Sequence, residues 1–310
     1  INAGILHPDT GHHHNHRALI PYLTSEASAL QQLDSSPSEV LKISSKKWNA
    51  VKEEVSTLNP NTIILSSESF FRDLGDDEFR MLGSNLKSLA SKIVIAAYLR
   101  EPASLTLSKA QQNIKRKPIF TLPPKAYYRS TLELYKNSGI GSMKVRIFDR
   151  RALEDGDIVK DFFAQHIPHF DPERLSRRKD DNTSFSAEAM SLLQEVQRKE
   201  RSCPRDNAKH AIKKADRELH GFARPRMHDQ IRHAIQARCT DLGWLKDEFD
   251  LEFPNIDTTA MSHSEADRLC DALDTVEDMC VVDTDRKAAL WNAVCKNQGP
   301  IRRLLRKIRN

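Results

Sequence analysis

Apolar residues recur at helical spacing through residues 18–58, and one polar stretch divides this pattern in two. Leu19 and Leu23 belong to the first half, and Val40 and Trp48 belong to the second. Residues 34–38 read Asp-Ser-Ser-Pro-Ser, a composition typical of turns and helix starts. The pattern therefore predicts two helices joined by a turn.

Two short apolar runs then alternate with helical patterns. Residues 61–65 are mostly β-branched and end in Ser-Ser-Glu-Ser, and residues 92–100 are almost continuously apolar. Such runs are typical of parallel strands that are buried on both faces. Helices are predicted over residues 76–90 and 103–116. The order strand, helix, strand, helix favours a parallel sheet built from crossover connections.

The pattern changes near residue 170. Before it, a helix is predicted over residues 126–137, a third strand over 143–148 and another helix from Asp157. After it, charged helical segments alternate with polar connectors, and no convincing strand is found. We therefore expect an α/β core over residues 1–170 and a mostly helical region over residues 171–310.

The composition favours a cytoplasmic protein with no general nucleic-acid role. Of the 310 residues, 39% are hydrophobic and 29% are charged, and no apolar run is long enough to span a membrane. The five cysteines are an odd number without a Cys-x-x-Cys pair, which is typical of reduced thiols. The net charge of +5 is small and does not require a nucleic-acid partner. An anionic cofactor or substrate would be sufficient to explain the positive balance.

The segment Tyr-Leu-Arg-Glu-Pro at residues 98–102 carries the strongest indication of chemistry. Arg100 lies where the predicted strand ends, and Ser108 follows on the second turn of the next predicted helix. Ligands of open parallel sheets bind at the carboxyl ends of the strands, so a guanidinium and a hydroxyl placed in this way could bind one anion. Alternatively, Arg100 forms a salt bridge and Ser108 faces solvent.

This segment resembles the 3′-phosphate-binding motif of sulfotransferases that use 3′-phosphoadenosine 5′-phosphosulfate (PAPS). The resemblance to bacterial sulfotransferase-like proteins extends over roughly residues 1–195, through the segments at residues 64–68, 145–153, 156–163 and 182–188. It implies a three-layer parallel sheet similar to that of P-loop NTPases. It also implies that PAPS is the donor, that a hydroxyl, most simply of a carbohydrate, is the acceptor, and that no metal is needed. Arg100 and Ser108 would hold the 3′-phosphate.

The family's second signature is a strand followed by a Lys-Thr-Gly-Thr-Thr-like loop that binds the 5′-phosphosulfate at a helix amino end. The 310 residues contain no such loop. In similar proteins the loop precedes a segment resembling residues 3–11, so we expect the first strand and the loop to be encoded upstream of Ile1. A relative without the loop is the alternative.

Sulfuryl transfer needs a base for the acceptor proton, and two residues are candidates. Glu68 ends the strand before the Arg100 strand, where sulfotransferases commonly present a histidine or glutamate; alternatively it is a helix-start carboxylate. His16 is the second candidate and follows three adjacent histidines, His12, His13 and His14. A metal site is not expected there, because three adjacent histidines of a regular structure cannot face one ion. A solvated loop is the simpler interpretation.

Other residues are weaker candidates. Lys125 and Tyr128, with Tyr127, follow two prolines and could line the acceptor cleft, or they could be core and rim residues. The Asn-x-Ser-x-Ser element formed by Asn182, Ser184 and Ser186 recurs in similar proteins, but a helix cap before Glu188 explains it best.

The last ten residues predict a basic amphipathic helix. Ile301, Leu304, Leu305 and Ile308 share one helical face, and five cations occupy the others. The helix could dock on its own domain, or it could make peripheral contact with the inner membrane surface.

Two other functions compete with the sulfotransferase hypothesis. One is a non-catalytic protein that keeps the α/β scaffold and binds a glycan or a protein partner. The other is a P-loop kinase relative, which is disfavoured because the predicted strands end in Ser-Ser-Glu and Leu-Arg rather than in a metal-binding acid.

Overall fold

The computed structural model describes residues 4–11, 16–25, 36–72, 74–175, 184–203 and 207–296. The chain divides into two compact units that alternate along the sequence. Unit 1 comprises Ile1–Leu99, Ala126–Pro172 and Gly243–Leu251, and unit 2 comprises Arg100–Lys125, Glu173–Leu242 and Glu252–Asn310. The predicted boundary near residue 170 corresponds to one of the crossings between the units, and the sequence pattern did not indicate the others.

The protein is a mixed α/β structure whose strands form two separate parallel pairs. The strands are β1 (Ile5–Leu6), β2 (Thr62–Ile63), β3 (Val94–Leu99) and β4 (Ser142–Ile147). Ile5 pairs with Thr62 in the first pair. In the second pair the register runs from Val94 opposite Ser142 to Leu99 opposite Ile147. The patterns at residues 61–65, 92–100 and 143–148 correctly predicted β2, β3 and β4, whereas β1 is too short to give a periodic signal. The expected burial of β3 on both faces is wrong, because Val94 and Ala96 are exposed.

The helices follow the predicted segments closely in the first half of the chain. In chain order they are α1 (Ile20–Thr24), α2 (Pro37–Leu58), α3 (Asp76–Lys87), α4 (Pro102–Ile114), α5 (Tyr127–Asn137), α6 (Ile158–His166), α7 (Ala187–Gln197), α8 (Ala208–Glu218), α9 (Asp229–Arg238), α10 (Leu242–Phe249), α11 (His263–Asp271), α12 (Val276–Met279) and α13 (Thr284–Lys296).

Local capping explains several of the helix starts. Ser36 and Glu39 form a capping box at the start of α2, and Pro37 occupies the first helical position. Asp157 caps α6 by accepting hydrogen bonds from the amides of Val159 and Lys160. These short-range signals are visible in the sequence, which is why the helix starts could be predicted.

Two apolar clusters lie in the described residues of unit 1, and each strand pair contributes side chains to one of them. The larger cluster joins Trp48 of α2 and Phe79 of α3 to Ile95 and Met143 of the second strand pair and to Leu65, which follows β2. The smaller cluster contains three buried side chains from α6 and the segment after it, which pack against one residue of β1 and one residue that directly follows β2: Phe163, Ile167, Phe170, Ile5 and Ile64.

A second kind of contact ties α6 to the other strand pair. Asp161 of α6 binds Tyr98 of β3 and Arg146 of β4, and the carbonyl of Gln165 accepts a hydrogen bond from Lys144. Helix α6 therefore contacts both strand pairs, through apolar packing on one and through polar contacts on the other.

Unit 2 is built from helices. Its core joins α4 to α7, α8, α9, α11 and α13, and nearly every residue in the first two turns of α7 is buried. Within the described residues of unit 2, β structure is limited to the antiparallel bridge between Met227 and Cys280.

A buried ion cluster connects three of these helices. The guanidinium of Arg286 lies 2.9 Å from a carboxylate oxygen of Glu188 and 3.0 Å from one of Asp216.

Three segments singled out in the sequence lie outside the described residues. They are His12–His14, Asn182 and the basic segment at residues 301–309. Across the described ranges, no helix has the length and apolar character needed to cross a membrane.

Candidate functional site

The predicted site residues divide between the two units. His16, Glu68 and Tyr128 belong to unit 1, and Arg100, Ser108 and Lys125 belong to unit 2. Each group is therefore described within its own unit.

Arg100 and Ser108 flank the first turns of α4. Arg100 is exposed and directly follows β3, and Ser108 is half-buried on the second turn of the helix. Between them, Glu101 caps the helix by accepting hydrogen bonds from the amides of Ala103 at 2.9 Å and Ser104 at 2.7 Å. The order of strand end, arginine and serine-bearing helix is the one that the sequence predicted.

The position of Glu101 is fixed from a second helix. The side-chain amide of Gln236, on α9, donates a hydrogen bond of 2.8 Å to the carboxylate of Glu101. Gln236 is almost fully buried. Two amides at the start of α4 are thus already bound to a carboxylate, so an anion at this end would depend on side-chain donors.

The contacts of Lys125 indicate a structural role for this residue. Its ammonium group pairs with Asp267 of α11, which also lies 3.3 Å from Arg238. The hydrogen bond from Lys125 lowers the pKa of the Asp267 carboxyl group. The carbonyl of Lys125 accepts a hydrogen bond from the amide of Thr240. These contacts favour the interpretation of Lys125 as a rim residue that anchors a connecting segment.

His16 is buried, and backbone groups bind both of its ring nitrogens. The amide of Ser66 donates to Nδ1 at 2.8 Å, and Nε2 lies 2.9 Å from the carbonyl oxygen of Pro8. Because a carbonyl can only accept, these contacts assign Nε2 as the donor and Nδ1 as the acceptor. No ring lone pair is left for a substrate proton, so this geometry disfavours His16 as the base.

His7 is a neighbouring histidine that the sequence analysis did not select. It directly follows β1, is exposed, and its ring centroid lies 4.4 Å from that of His16. Partial burial lowers the pKa of His7, and the adjacent His16 lowers it further, against smaller opposing effects of a backbone hydrogen bond and Asp9. No sequence signal marked this position, because the two-residue strand β1 that precedes it is too short to show a periodic pattern.

Glu68 lies in a short 3₁₀ turn, Glu68–Phe70, that follows β2. It is exposed, and the hydroxyl of Ser67 accepts a hydrogen bond from the amide of Ser69 to start the turn. Burial raises the pKa of Tyr127, and the negative charge of Glu68 raises it further. Glu68 and His7 each follow a strand of the same parallel pair, and both therefore lie toward its carboxyl edge.

Tyr128 belongs to the core. Only 2% of its surface is exposed, and its ring contacts that of Tyr127 with centroids 5.6 Å apart. This burial favours the core alternative over a place in an open acceptor cleft.

Tyr98, the first residue of the Tyr-Leu-Arg-Glu-Pro segment, forms a hydrogen bond that the sequence did not indicate. Its hydroxyl donates to Asp161 at 2.8 Å, and the guanidinium of Arg146 binds both oxygens of the same carboxylate. Burial opposes ionisation of Asp161, but the hydrogen bonds from Arg146 and Tyr98 outweigh it and lower the pKa of this carboxyl group. Burial and the bond to Asp161 raise the pKa of Tyr98.

Ser186 caps a helix, as predicted. Its hydroxyl accepts a hydrogen bond from the amide of Ala189 at the start of α7 and donates to Asp216 at 2.7 Å. Arg286 donates to the same hydroxyl. Ser186 therefore belongs to the buried ion cluster of unit 2.

The described residues contain no group of three or more His, Cys, Asp or Glu side chains arranged to hold a metal ion. No protein-family model matches the sequence, and neither a curated protein nor a solved structure is significantly similar to it.

Proposed function

We propose that this protein is a PAPS-dependent sulfotransferase that transfers a sulfuryl group to a hydroxyl of a carbohydrate or another small acceptor. The observation that carries the proposal is the placement of Arg100 directly after a parallel strand and of Ser108 on the second turn of the helix that follows. An arginine offers paired, charged donors to a phosphate, and a serine hydroxyl adds a further donor.

The residues at the start of α4 support a phosphate site that is formed by side chains and not by backbone amides. Arg100 is exposed, and Ser108 is accessible in part. The amides of Ala103 and Ser104 are bound to Glu101. Arg100 and Ser108 are therefore the groups that would hold the 3′-phosphate of the donor. When bound, the donor supplies the sulfuryl group and a phosphate as the leaving group.

The finer fold that we propose is a three-layer parallel sheet of the P-loop NTPase type. Two observations support it: the strands in the described ranges pair in parallel, and side chains of both strand pairs contact α6. In this fold a further strand with its phosphate loop joins the two pairs. The described residues do not contain it, so the proposal requires a segment outside the described ranges.

Glu68 remains a proposed base for the acceptor proton, since it is exposed and follows β2. A cytoplasmic location is supported by the five cysteines, all of which are free thiols. Contact of residues 301–309 with the inner membrane surface is part of the same proposal.

Calorimetry with 3′-phosphoadenosine 5′-phosphate on the natural full-length protein tests the donor site. Arg100→Ala should weaken binding roughly 10–100-fold, because it removes charge-assisted hydrogen bonds to a phosphate. Ser108→Ala should weaken it about 3–10-fold, because a neutral hydrogen bond contributes less.

Arg116→Ala is the matched control. Arg116 is also exposed and carries the same charge, but it lies just beyond the other end of α4. It should leave the affinity within about twofold, since exposed charges at this separation are screened by salt. Equal losses of nucleotide affinity in Arg100→Ala and Arg116→Ala would show that binding depends on overall positive charge and not on a specific contact with Arg100. Tight nucleotide binding without any sulfuryl transfer would favour the non-catalytic scaffold.

A further inference from the structure

An exposed, extended segment connects α8 to α9 in unit 2. Residues 222–226 read Phe-Ala-Arg-Pro-Arg and form no helix, turn or bend. Successive side chains of an extended segment point to opposite sides, so Phe222, Arg224 and Arg226 share one side. The burial pattern agrees at the end of the segment, where Arg226 is exposed and Met227 is buried. We refer to Phe222, Arg224 and Arg226 as the arginine ridge.

Contacts at both ends hold this segment in place. Before it, the carbonyl of His220 accepts a hydrogen bond from the guanidinium of Arg286, which belongs to the buried ion cluster. After it, the amide of Val281 donates to the carbonyl of Arg226 at 2.9 Å, beside the antiparallel bridge of unit 2. A segment that is held in this way loses little conformational entropy when it binds a partner.

The arginine ridge carries binding groups that the described residues leave unused. Within the described ranges, neither of its guanidinium groups has a hydrogen-bond or ion-pair partner, and the main-chain groups of Phe222, Ala223 and Arg224 form no hydrogen bond. Phe222 is 43% exposed, and Val281, whose amide binds Arg226, is 39% exposed. Two cations, two apolar side chains and an open strand edge therefore lie together.

We propose that this segment is a docking site for an acidic peptide segment of a partner protein, which adds as a β-strand along residues 222–226. The main chain of the partner pairs with the open edge, and carboxylates at every second position of the partner pair with Arg224 and Arg226. An apolar side chain of the same strand covers Phe222. This inference concerns unit 2 alone and does not depend on the proposed sulfotransferase function.

The geometry of the ridge favours a peptide over other anionic partners. Side chains two positions apart on a strand are separated by about 6.4–6.8 Å, so two carboxylates on one side of an added strand match the two arginines. A polymer of phosphates would use the cations but not the open main chain. Charged residues on an edge also discourage pairing with strands that lack the opposite charge, which makes the site selective for acidic ones.

Fluorescence anisotropy with a labelled peptide, acetyl-Thr-Glu-Thr-Glu-Thr-Val-Thr-amide, tests the proposal on the full chain. The glutamates and the valine of this probe lie on one side of a strand, and we expect a Kd on the order of 0.1 mM at low salt. A control peptide, acetyl-Thr-Glu-Glu-Thr-Thr-Val-Thr-amide, has the same composition. It places the glutamates on opposite sides and should bind about three- to fivefold more weakly, because one ion pair is lost.

Variants of the ridge locate the site. The double variant Arg224→Gln/Arg226→Gln should weaken binding of the probe roughly 5–20-fold, and Phe222→Ala should weaken it about threefold. Arg116→Gln/Arg268→Gln is the matched control, since both arginines are exposed and belong to unit 2 but lie outside the ridge. It should leave the affinity within about twofold. All variants should unfold at the same temperature as the wild type, because every changed side chain is exposed.

N-methylation of the probe separates strand addition from charge attraction alone. The amides of alternate residues in a strand point to opposite edges, so methyl groups on one set block the edge that faces the ridge. One of the two methylated peptides should lose binding, and the other should stay within about threefold of the probe. Equal affinities of the two methylated peptides would overturn the proposal.

Three further results would also count against it. The first is the absence of binding to the wild type with the probe at about 1 mM. The second is an equal loss of affinity in Arg224→Gln/Arg226→Gln and in the control Arg116→Gln/Arg268→Gln. The third is tighter binding of single-stranded oligothymidylate through the same two arginines of the ridge, which would identify the partner as a nucleic acid.

Discussion

Asp161 shows how one side chain can fix the ends of two strands. Its carboxylate accepts hydrogen bonds from Tyr98 of β3, from Arg146 of β4 and, at 3.1 Å, from the amide of Glu154. The side chain of Asp161 is 1% exposed, while that of Arg146 is 31% exposed. A carboxylate enclosed in this way is costly to replace, because its donors lose their partner together.

We expect Asp161→Asn to lower the free energy of unfolding by about 2–3 kcal/mol at pH 7. Asp149→Asn is the matched control, since Asp149 also pairs with an arginine, but the side chain of that arginine, Arg151, is 68% exposed. This change should cost less than about 1 kcal/mol. Urea denaturation of both variants measures the difference, and similar losses would contradict the assigned role of Asp161.

The sequence could predict some residues of the candidate site but not others. The placement of Arg100 at a strand end and of Ser108 on the next helix could be predicted because this relation is local. His16 was selected as a base, but its partners are backbone atoms of Pro8 and of Ser66, which is fifty positions away. Whether a side chain is available to accept a proton depends on such distant contacts, and the neighbouring sequence does not indicate them.

At the scale of single elements, β3 and β4 approach closely just before the strands begin. An added Cβ atom at Gly141 would lie 2.4 Å from the carbonyl oxygen of Ile93. That oxygen also accepts a hydrogen bond from the amide of Ser142. The pair therefore requires glycine here for space, not for an unusual backbone conformation.

Gly141→Ala should destabilise the protein by about 2 kcal/mol or more, because a backbone atom cannot move aside as a flexible side chain can. Gly243→Ala provides the comparison: Gly243 lies in α10, where an added Cβ atom would meet nothing within 4 Å. That change should be neutral or stabilise by up to about 1 kcal/mol. Thermal unfolding of the two variants measures this difference in stability. A Gly141→Ala variant that is as stable as the wild type would contradict the expectation.

Helices were easier to predict than the arrangement of strands. Periodicity and caps such as Ser36 and Asp157 are local, so the predicted starts of α3, α4 and α5 lie within one residue of those observed. The two-residue strand β1 gives no periodic signal. The separation of the strands into two pairs depends on contacts between segments far apart in the sequence, which periodicity does not encode.

At the scale of the whole molecule, α4 belongs to a different unit from the strand that precedes it. Ala103, Ala110 and Ile114 of α4 are almost fully buried in the core of unit 2. Conversely, Trp244 and Glu248 belong to unit 1, where they contact Arg129 and Lys136 of α5. A change in apolar periodicity marks only the crossing near residue 170, because the other exchanged segments have ordinary helical patterns.

A fragment comprising residues 1–172 should therefore fail to fold cooperatively. It exposes the apolar face of α4 and lacks residues 243–251 of unit 1. Size-exclusion chromatography and urea denaturation should show aggregation or a non-cooperative transition. Co-expression with residues 173–310 should restore a soluble complex. A fragment that is monomeric and unfolds cooperatively by itself would contradict this expectation.

The interleaved units also constrain how the chain matures on the ribosome. Unit 1 has all its parts only after Leu251 is made, 79 residues after Pro172 (251 − 172 = 79). At translation rates of about 5–20 residues per second, this takes roughly 4–16 s. During that interval the nascent chain carries incomplete apolar surfaces, so it should then be a client of ribosome-associated chaperones.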